Sequence, residues 1–454
     1  MLNPAPSVAS LFERGNAALA ARDYSSAEKL FLQAVHIAPD CAAALANLAF
    51  VREQLRQTGS ARDLYLLALR LDPANLQIVL NYGALLTRLH ASAEAETLYR
   101  EMLSVWPQEP RLMSNYGALL ALQKRDQEAE ALLRLALSIQ PDYRNASYNL
   151  SYLLLRQSRW EEGWQRMEDR AWPDVLVAAF PFPRWHAEPC DGKAILLVFE
   201  GGYGDSMFFC RYAIWLRQHG CRRIGIVSPP SLTTLLRASD LFDAVIPYDQ
   251  DLPDQQWDYW VPLFSLPYCC GRQQPWFPTS GPYLRADAGQ RAAWRQQLDA
   301  RRLKIGLAWQ GNPDFENDAA RSLHDLDVLS GLSDVPGVEW FSLHFPTPAR
   351  LPALPLTDVS AQIHDFTDSA ALISELDLVI SVDTAVAHLS AALGKPCWLM
   401  LPYQKPDWRW QSEGSATGWY PSMLVLRQSA ANDWAGLIRI IRQKLEALLA
   451  ARGG

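Results

Sequence analysis

The sequence has no apolar run long enough to cross a bilayer. Its first residues, Met1 to Phe12, lack a basic region followed by an apolar one, so no secretory signal is visible. Positive charge is not in excess. Lys and Arg number 42 against 49 Asp and Glu, a net charge of −7. That excludes a broad electrostatic nucleic-acid surface, though a local basic pocket stays open. Charged residues are only 20% and apolar ones 49%, which argues against a disordered chain. Cysteines are few: Cys41, Cys190, Cys210, Cys221, Cys269, Cys270 and Cys397, an odd number with no CxxC pair. Vicinal Cys269–Cys270 could suggest redox or metal chemistry, but the set reads better as reduced, mostly buried thiols. These absences make the cytoplasm the expected compartment. Tryptophan is abundant, 17 residues mainly after position 160, and reads as packing and pocket wall. A length of 454 residues suits two or three domains.

The N-terminal third repeats. Pro39, Pro73, Pro107 and Pro141 fall at one period of 34 residues, and Ala27, Ala61, Ala95 and Ala129 keep the same period, followed by Gly163. Gly15, Gly83 and Gly117 hold another register, filled by Ala49 and Ser151, while Phe31, Tyr65, Tyr99 and Leu133 follow the alanines. A 34-residue period with small, aromatic and proline sites is the tetratricopeptide (TPR) pattern. Each unit is a pair of antiparallel helices in which small residues allow close crossing and proline ends the second helix. Four full repeats and a decaying fifth are expected.

Asn47, Asn81, Asn115 and Asn149 form a second ladder at the same period, inside the first helix of each repeat. Asparagine is a mediocre helix former, so propensity does not explain it. On the concave groove of a solenoid each amide could bond both N–H and C=O of an extended acceptor peptide. Alternatively the amides bond neighbouring repeats and stiffen the array. The ladder resembles that of O-GlcNAc transferases, in which a TPR superhelix feeds protein substrate to a catalytic domain.

Pro173, Pro181, Pro183 and Pro189 then mark a linker, and Trp160–Arg170 before it reads as a capping helix. The remaining chain alternates strand and helix. Strands are expected at Ala194–Phe199, Arg223–Ser228, Asp243–Tyr248 and Asp258–Phe264, with a helix from about Ser206 to His219 after the first. Pro275, Pro278, Gly281 and Pro282 punctuate the chain. A second set follows at Lys304–Trp309, Val338–Leu343, Leu378–Val382, Pro396–Leu401 and Met423–Arg427, closed by a helix from about Asp433 to Ala450. Two such sets predict two doubly wound domains facing a cleft, with ligands at the carboxyl ends of the strands.

Three strand ends carry chemistry. Gly201-Gly-Tyr-Gly-Asp-Ser206 joins the first strand to its helix, lets backbone approach a ligand, and offers an N–H-rich helix start. It has neither a P-loop lysine nor GxGxxG. Asp205 reads as a helix N-cap or as a general base at the cleft. Leu378–Gly394 delivers Asp383 and Thr384 to a helix start suited to a diphosphate, with His388 one turn on; the alternative is a capped helix with a surface histidine. Gly306–Pro313 ends a strand in a polar turn, and Arg321-Ser322 beyond it could fork onto phosphate or be a surface charge.

Together, Gly-Tyr-Gly-Asp205, Trp309-Gln-Gly-Asn312 with Arg321-Ser322, and Asp383-Thr-Ala-Val-Ala-His388 followed by Leu-Gly-Lys-Pro396 resemble the heptosyltransferase-like glycosyltransferases of GT-B fold, and the whole chain resembles their bacterial TPR-fused members, including flagellin-type protein glycosyltransferases. The resemblance implies an all-α TPR solenoid followed by an α/β GT-B fold of two facing Rossmann-like doubly wound domains. The boundaries are 1–171 for the solenoid, 172–193 for the linker, 194–285 for the acceptor-side domain and 286–454 for the nucleotide-sugar domain. It implies Asp205 as catalytic base. Gly204, Gln310, Asn312, Arg321, Ser322, Asp383, Thr384, Ala385 and His388 would bind the donor, Arg321 standing where the family often has a phosphate-binding lysine and Ala385 where glycine is usual. Pro402–Trp410 would wall the donor or acceptor pocket.

The expected activity is inverting transfer from a nucleotide-sugar donor to a protein acceptor held by Asn47, Asn81, Asn115 and Asn149. Asp205 would deprotonate the acceptor, while Arg321 and the N–H groups at Thr384 stabilise the leaving diphosphate. No cofactor, no metal, no nucleic acid and no membrane span are expected; Asp249-Gln-Asp251 and Asp325-Leu-Asp327 sit where ordinary loop or helix aspartates belong. The alternatives are a glycan heptosyltransferase and a non-catalytic TPR adaptor with a nucleotide-sugar-binding domain.

Overall fold

A computed structural model of the chain describes residues 7–252, 256–271, 281–299, 301–315, 317–345 and 350–453. Two compact units divide between Leu150 and Ser151. The punctuation at Pro275 and Pro278 lies outside the described residues.

The first unit is a run of antiparallel helices: α1 Val8–Ala20, α2 Tyr24–Ile37, α3 Ala42–Gln54, α4 Thr58–Leu71, α5 Leu76–Arg88, α6 Ser92–Val105, α7 Pro110–Leu122 and α8 Asp126–Ile139. The repeating small residues are needed for close approach. A Cβ on Gly15 would meet the Phe31 ring at 2.7 Å, and one on Gly117 would meet Leu133 Cγ at 2.8 Å. A further ladder had no signal in the sequence. Arg22, Arg56, His90, Lys124 and Ser158 all have positive φ, between 57° and 62°. Each ends the first helix of its repeat, and the next residue's N–H bonds back five residues, as Asp23 does to Ala18 at 2.9 Å and Arg159 to Leu154 at 2.9 Å. This is the left-handed helix stop that usually selects glycine.

Helices α9 Arg144–Arg156 and α10 Trp160–Met167 come next. Arg170, just beyond α10, is buried and forms a fork with Glu200, Nε to Oε1 at 2.6 Å and Nη2 to Oε2 at 2.8 Å. The proline-marked linker contains a short helix, Trp172–Leu176, and pairs with a sheet edge through Trp185 N–H to Trp260 C=O at 2.8 Å.

Two parallel sheets follow. The first comprises β1 Ala194–Val198, β2 Arg223–Ser228, β3 Ala244–Pro247 and β4 Tyr259–Pro262, in the order β3-β2-β1-β4. The second comprises β5 Leu303–Ala308, β6 Val338–Ser342, β7 Leu356–Thr357, β8 Leu378–Val382, β9 Cys397–Leu401 and β10 Met423–Arg427, in the order β10-β9-β8-β5-β6-β7. Strands β1 and β8 are buried along their whole length, as parallel strands covered on both faces must be. The sheets agree with the all-α array followed by two doubly wound lobes. The two-residue β7 was not anticipated; its sequence, Leu-Thr, is too short to show a period. All seven cysteines are free thiols and six are buried.

The helix expected over 206–219 is a correction. It starts earlier and is two helices, Tyr203–Phe209 and Tyr212–Gln218. The break follows from buried Arg211. Its guanidinium turns inward to the Phe208 carbonyl at 2.7 Å, the Trp419 carbonyl at 2.8 Å and the Tyr283 hydroxyl at 3.0 Å.

Candidate active site

Asp205 enters the site from the turn after β1. Gly201 holds φ +81° there, a conformation suited to glycine. Gly202 is the helix N-cap, so Asp205 stands at the third helical position rather than at the cap. Its Oδ2 accepts from the Gly202 N–H at 2.7 Å, and its Oδ1 accepts from Arg409 Nη2 at 2.5 Å. Burial pushes the Asp205 carboxyl above the usual carboxylate range, and the Arg409 charge opposes that rise. The carboxylate still keeps 23% of its side-chain surface open, whereas Arg409 keeps 4%.

Asp383 and His388 come from the other lobe. Strand β8 ends at Val382, Thr384 caps the helix Ala385–Ala392, and the Thr384 hydroxyl lies 3.1 Å from Ser381 Oγ. Asp383 Oδ2 accepts from Trp410 Nε1 at 2.9 Å. Burial, with repulsion from Asp407, raises the Asp383 carboxyl to about 6. His388 is buried, not a surface histidine. Burial first, then the charges of Arg409, Arg211 and Arg321, push it well below its ordinary value, so it is neutral. The Tyr283 hydroxyl accepts from Arg211 and donates to the Met207 carbonyl at 2.8 Å. The Tyr420 hydroxyl bridges Tyr283 and His388, 3.3 Å from the Tyr283 hydroxyl and 2.9 Å from His388 Nδ1. The other ring nitrogen, Nε2, lies 3.9 Å from Asp383 Oδ1.

The two lobes meet at these residues. A Cβ placed on Gly204 would lie 2.7 Å from His388 Cδ2, so glycine lets the first helix turn of one lobe rest on the histidine of the other. Arg211 reaches the Trp419 carbonyl in the same way.

Arg321 is also in place. Its Nη1 donates to the Asp383 carbonyl at 3.0 Å, its Nε to Asp318 at 3.2 Å, and its guanidinium lies 4.4 Å from the Phe315 ring. It packs so closely on Gly311 that a Cβ there would be 2.5 Å from Nη2. Ser322 Oγ accepts from the Gly311 N–H at 2.8 Å and donates to Asp318 at 2.7 Å. It therefore shapes the turn after β5. Asn312 bonds the Asp314 N–H within that turn at 3.0 Å, and Gln310 is half-buried. The aspartate pairs have structural partners in one case: Asp325 caps its own turn and Asp327 bonds Arg350 at 2.6 Å. Among the described residues no group of three or more His, Cys, Asp or Glu is placed to hold a metal ion.

Sequence reasoning passed over Arg409 and Tyr420 as individual residues. Only the Trp408-Arg-Trp410 run inside the expected pocket wall pointed to the first. The run forms a short 3-10 turn capped by Asp407, and the next residue, Gln411, holds φ +57°. Trp408 packs edge-on against Trp164 of α10 at 4.9 Å, and Trp160 against Trp419 at 5.6 Å.

In the repeat unit all four ladder asparagines are half-buried. Asn47 donates to Asn16 Oδ1 at 3.1 Å and Asn149 to Ser114 Oγ at 3.1 Å, both in neighbouring repeats. Asn81 accepts from Gln77 in its own helix at 2.9 Å. Two of the four amides, Asn47 and Asn149, thus take part in contacts that stiffen the array.

Residues 357–398, which include Asp383, Thr384, Ala385 and His388, match glycosyltransferase family 9 (heptosyltransferase). Residues 12–75 and 88–144 match the tetratricopeptide repeat. Protein FlbA of Caulobacter vibrioides is 23% identical over 296 residues, 58% of this chain and 48% of FlbA; the chain spans about half the length of that curated relative. Among solved structures, a thermophilic TPR protein of Thermus thermophilus is 21% identical with a TM-score of 0.35, covering 38% of this chain and 96% of that one. PilF of Pseudomonas aeruginosa is 19% identical with a TM-score of 0.35, covering 47% and 86%. The chain thus joins tetratricopeptide repeats to a glycosyltransferase family 9 (heptosyltransferase) region.

Proposed function

We propose that the protein moves a sugar from a nucleotide-sugar donor to a protein acceptor, with inversion and without a metal. The observation that carries this reading is the partly open Asp205 carboxylate on one lobe, beside the Asp383–His388 helix start of the other. Asp205 takes the proton of an acceptor hydroxyl as its oxygen bonds to the anomeric carbon. The bond from that carbon to the diphosphate breaks on the opposite side, and the charge passes to the leaving group. Arg321 and the N–H groups at Thr384 and Ala385 receive that charge, the role a metal plays elsewhere. Gln310, Asn312 and Ser322 shape the donor-side turn, and neutral His388 lines the site without adding charge.

The repeat array is assigned to the acceptor protein, with Asn47, Asn81, Asn115 and Asn149 as the peptide ladder. Asn81→Ala with Asn115→Ala should weaken binding of an acceptor peptide at least tenfold, measured by fluorescence anisotropy; unchanged binding would remove the ladder from this account. A glycan acceptor is the second reading, favoured by the heptosyltransferase match of residues 357–398. Offering the enzyme protein and oligosaccharide acceptors side by side decides between them.

A further inference from the structure

Arg409 is an unusual residue to bury. It sits in the connection between β9 and β10, and its side chain is 4% exposed. Its guanidinium carbon lies 4.5 Å from the Trp408 ring, 4.6 Å from Phe208, 5.3 Å from Phe209 and 5.6 Å from Phe264. One arm, Nη1, donates to Asp407 at 3.0 Å, and the other, Nη2, to Asp205 at 2.5 Å. Its Nε finds no acceptor among the described residues. Burying an arginine among aromatic rings is costly unless its partners are fixed. Phe208, Phe209 and Phe264 belong to the lobe of Asp205, whereas Asp407 and Trp408 belong to the other, so the arginine crosses from one lobe to the other.

The pair is asymmetric. Arg409 is sealed behind the carboxylate, while Asp205 keeps an open edge. Oδ1 is held by Arg409 and Oδ2 by the Gly202 N–H, so turning the carboxylate breaks at least one of these bonds. The planar guanidinium gives one arm to Asp205 and the other to Asp407, so it is itself fixed between the two carboxylates.

We propose that Arg409 is a positioning residue for Asp205, carried on the donor-side lobe and holding the carboxylate of the acceptor-side lobe in its working orientation, so that the base is complete only while the lobes are together. This rests on the transferase reading above. Asp205 is faced by Arg409 and Asp407 from the β9–β10 connection, and Asp383 and His388 lie on the adjoining helix start of that lobe. Arg409 favours the ionised Asp205 through a direct side-chain bond, beside the backbone bond from Gly202.

The test is Arg409→Met beside Arg409→Lys, with the full chain. In Arg409→Met, kcat should fall about 100-fold with donor KM within about threefold, and the acid limb of the kcat/KM profile should move up by about one pH unit. Arg409→Lys, which keeps charge but not the fork, should recover part of the rate and most of the pH shift. The titration of the Asp205 carboxyl, read by 13C NMR and assigned with Asp205→Asn, should also move upward in Arg409→Met, whether or not turnover is seen. An unmoved Asp205 titration would overturn the proposal, as would a wild-type acid limb in a folded Arg409→Met enzyme. Absent turnover in the wild type would instead remove the transferase reading, and the carboxyl titration would still decide the Arg409–Asp205 coupling.

Discussion

Gly204→Ala places one methyl group where the two lobes touch. The added carbon would stand 2.7 Å from His388 Cδ2, against the ~3.5–4.0 Å at which two carbons sit comfortably. The imidazole cannot simply turn away, because its Nδ1 is held by Tyr420 at 2.9 Å and its ring packs 5.5 Å from Trp410. Overpacking of this kind costs about 1–3 kcal/mol, while alanine in a helix returns up to about 1 kcal/mol relative to glycine. Net destabilisation should therefore be small, about 0–2 kcal/mol. The effect on chemistry should be larger, because a ~1 Å misplacement of reacting groups costs about 100-fold. Chemical denaturation and steady-state transfer measured on the same preparation separate the two. A variant with wild-type kcat and donor KM would refute the packing of Gly204 on His388 as a feature of the working enzyme.

Asp383 has a raised carboxyl pKa, so the folded chain binds its proton more tightly than the unfolded one. Its contribution to stability is full below the unfolded value of about 4 and is lost as pH rises through about 6. The stability difference between Asp383→Asn and wild type should accordingly grow in favour of Asn between those pH values; a flat difference would contradict the assignment. Arg170→Ala leaves Glu200 buried without its fork and should cost about 3–5 kcal/mol in denaturant unfolding; a loss under about 1 kcal/mol would mean the pair is solvated. Replacing Arg22 and Arg56 by glycine relieves two left-handed side-chain positions and should stabilise the repeats by about 1 kcal/mol in total, seen as a higher denaturation midpoint. A lower midpoint would show that these side chains hold more than their backbone strain costs.

The repeats were legible because each must satisfy the same packing problem, and Ala27, Phe31 and Pro39 restate its solution every 34 residues. The left-handed stops at Arg22, Arg56, His90, Lys124 and Ser158 were not legible, since no glycine marks them. Buried parallel strands such as β1 and β8 announced themselves as continuous apolar runs. The helix after β1 did not, because an apolar helical pattern runs through Arg211 and nothing local shows that this arginine turns inward to the other lobe. Asp383 and His388 could be found from their short spacing along one helix start. Arg409 and Tyr420 act on Asp205 and His388 from distant sequence positions, so only the folded chain shows them to be partners. The Asn ladder is intermediate: its period and the alternative of bonds to neighbouring repeats were readable, but the particular partners, Asn16 for Asn47 and Ser114 for Asn149, were not.

The most direct test of the central claim is intact-protein mass spectrometry of candidate acceptor proteins incubated with the enzyme and a panel of nucleotide sugars, with Asp205→Asn in parallel. The account predicts a mass increase of one sugar with the wild type and a rate lower by about 100-fold or more with Asp205→Asn. Full turnover by Asp205→Asn would contradict the base assignment, and binding of a nucleotide sugar without transfer to any protein would contradict the proposed activity.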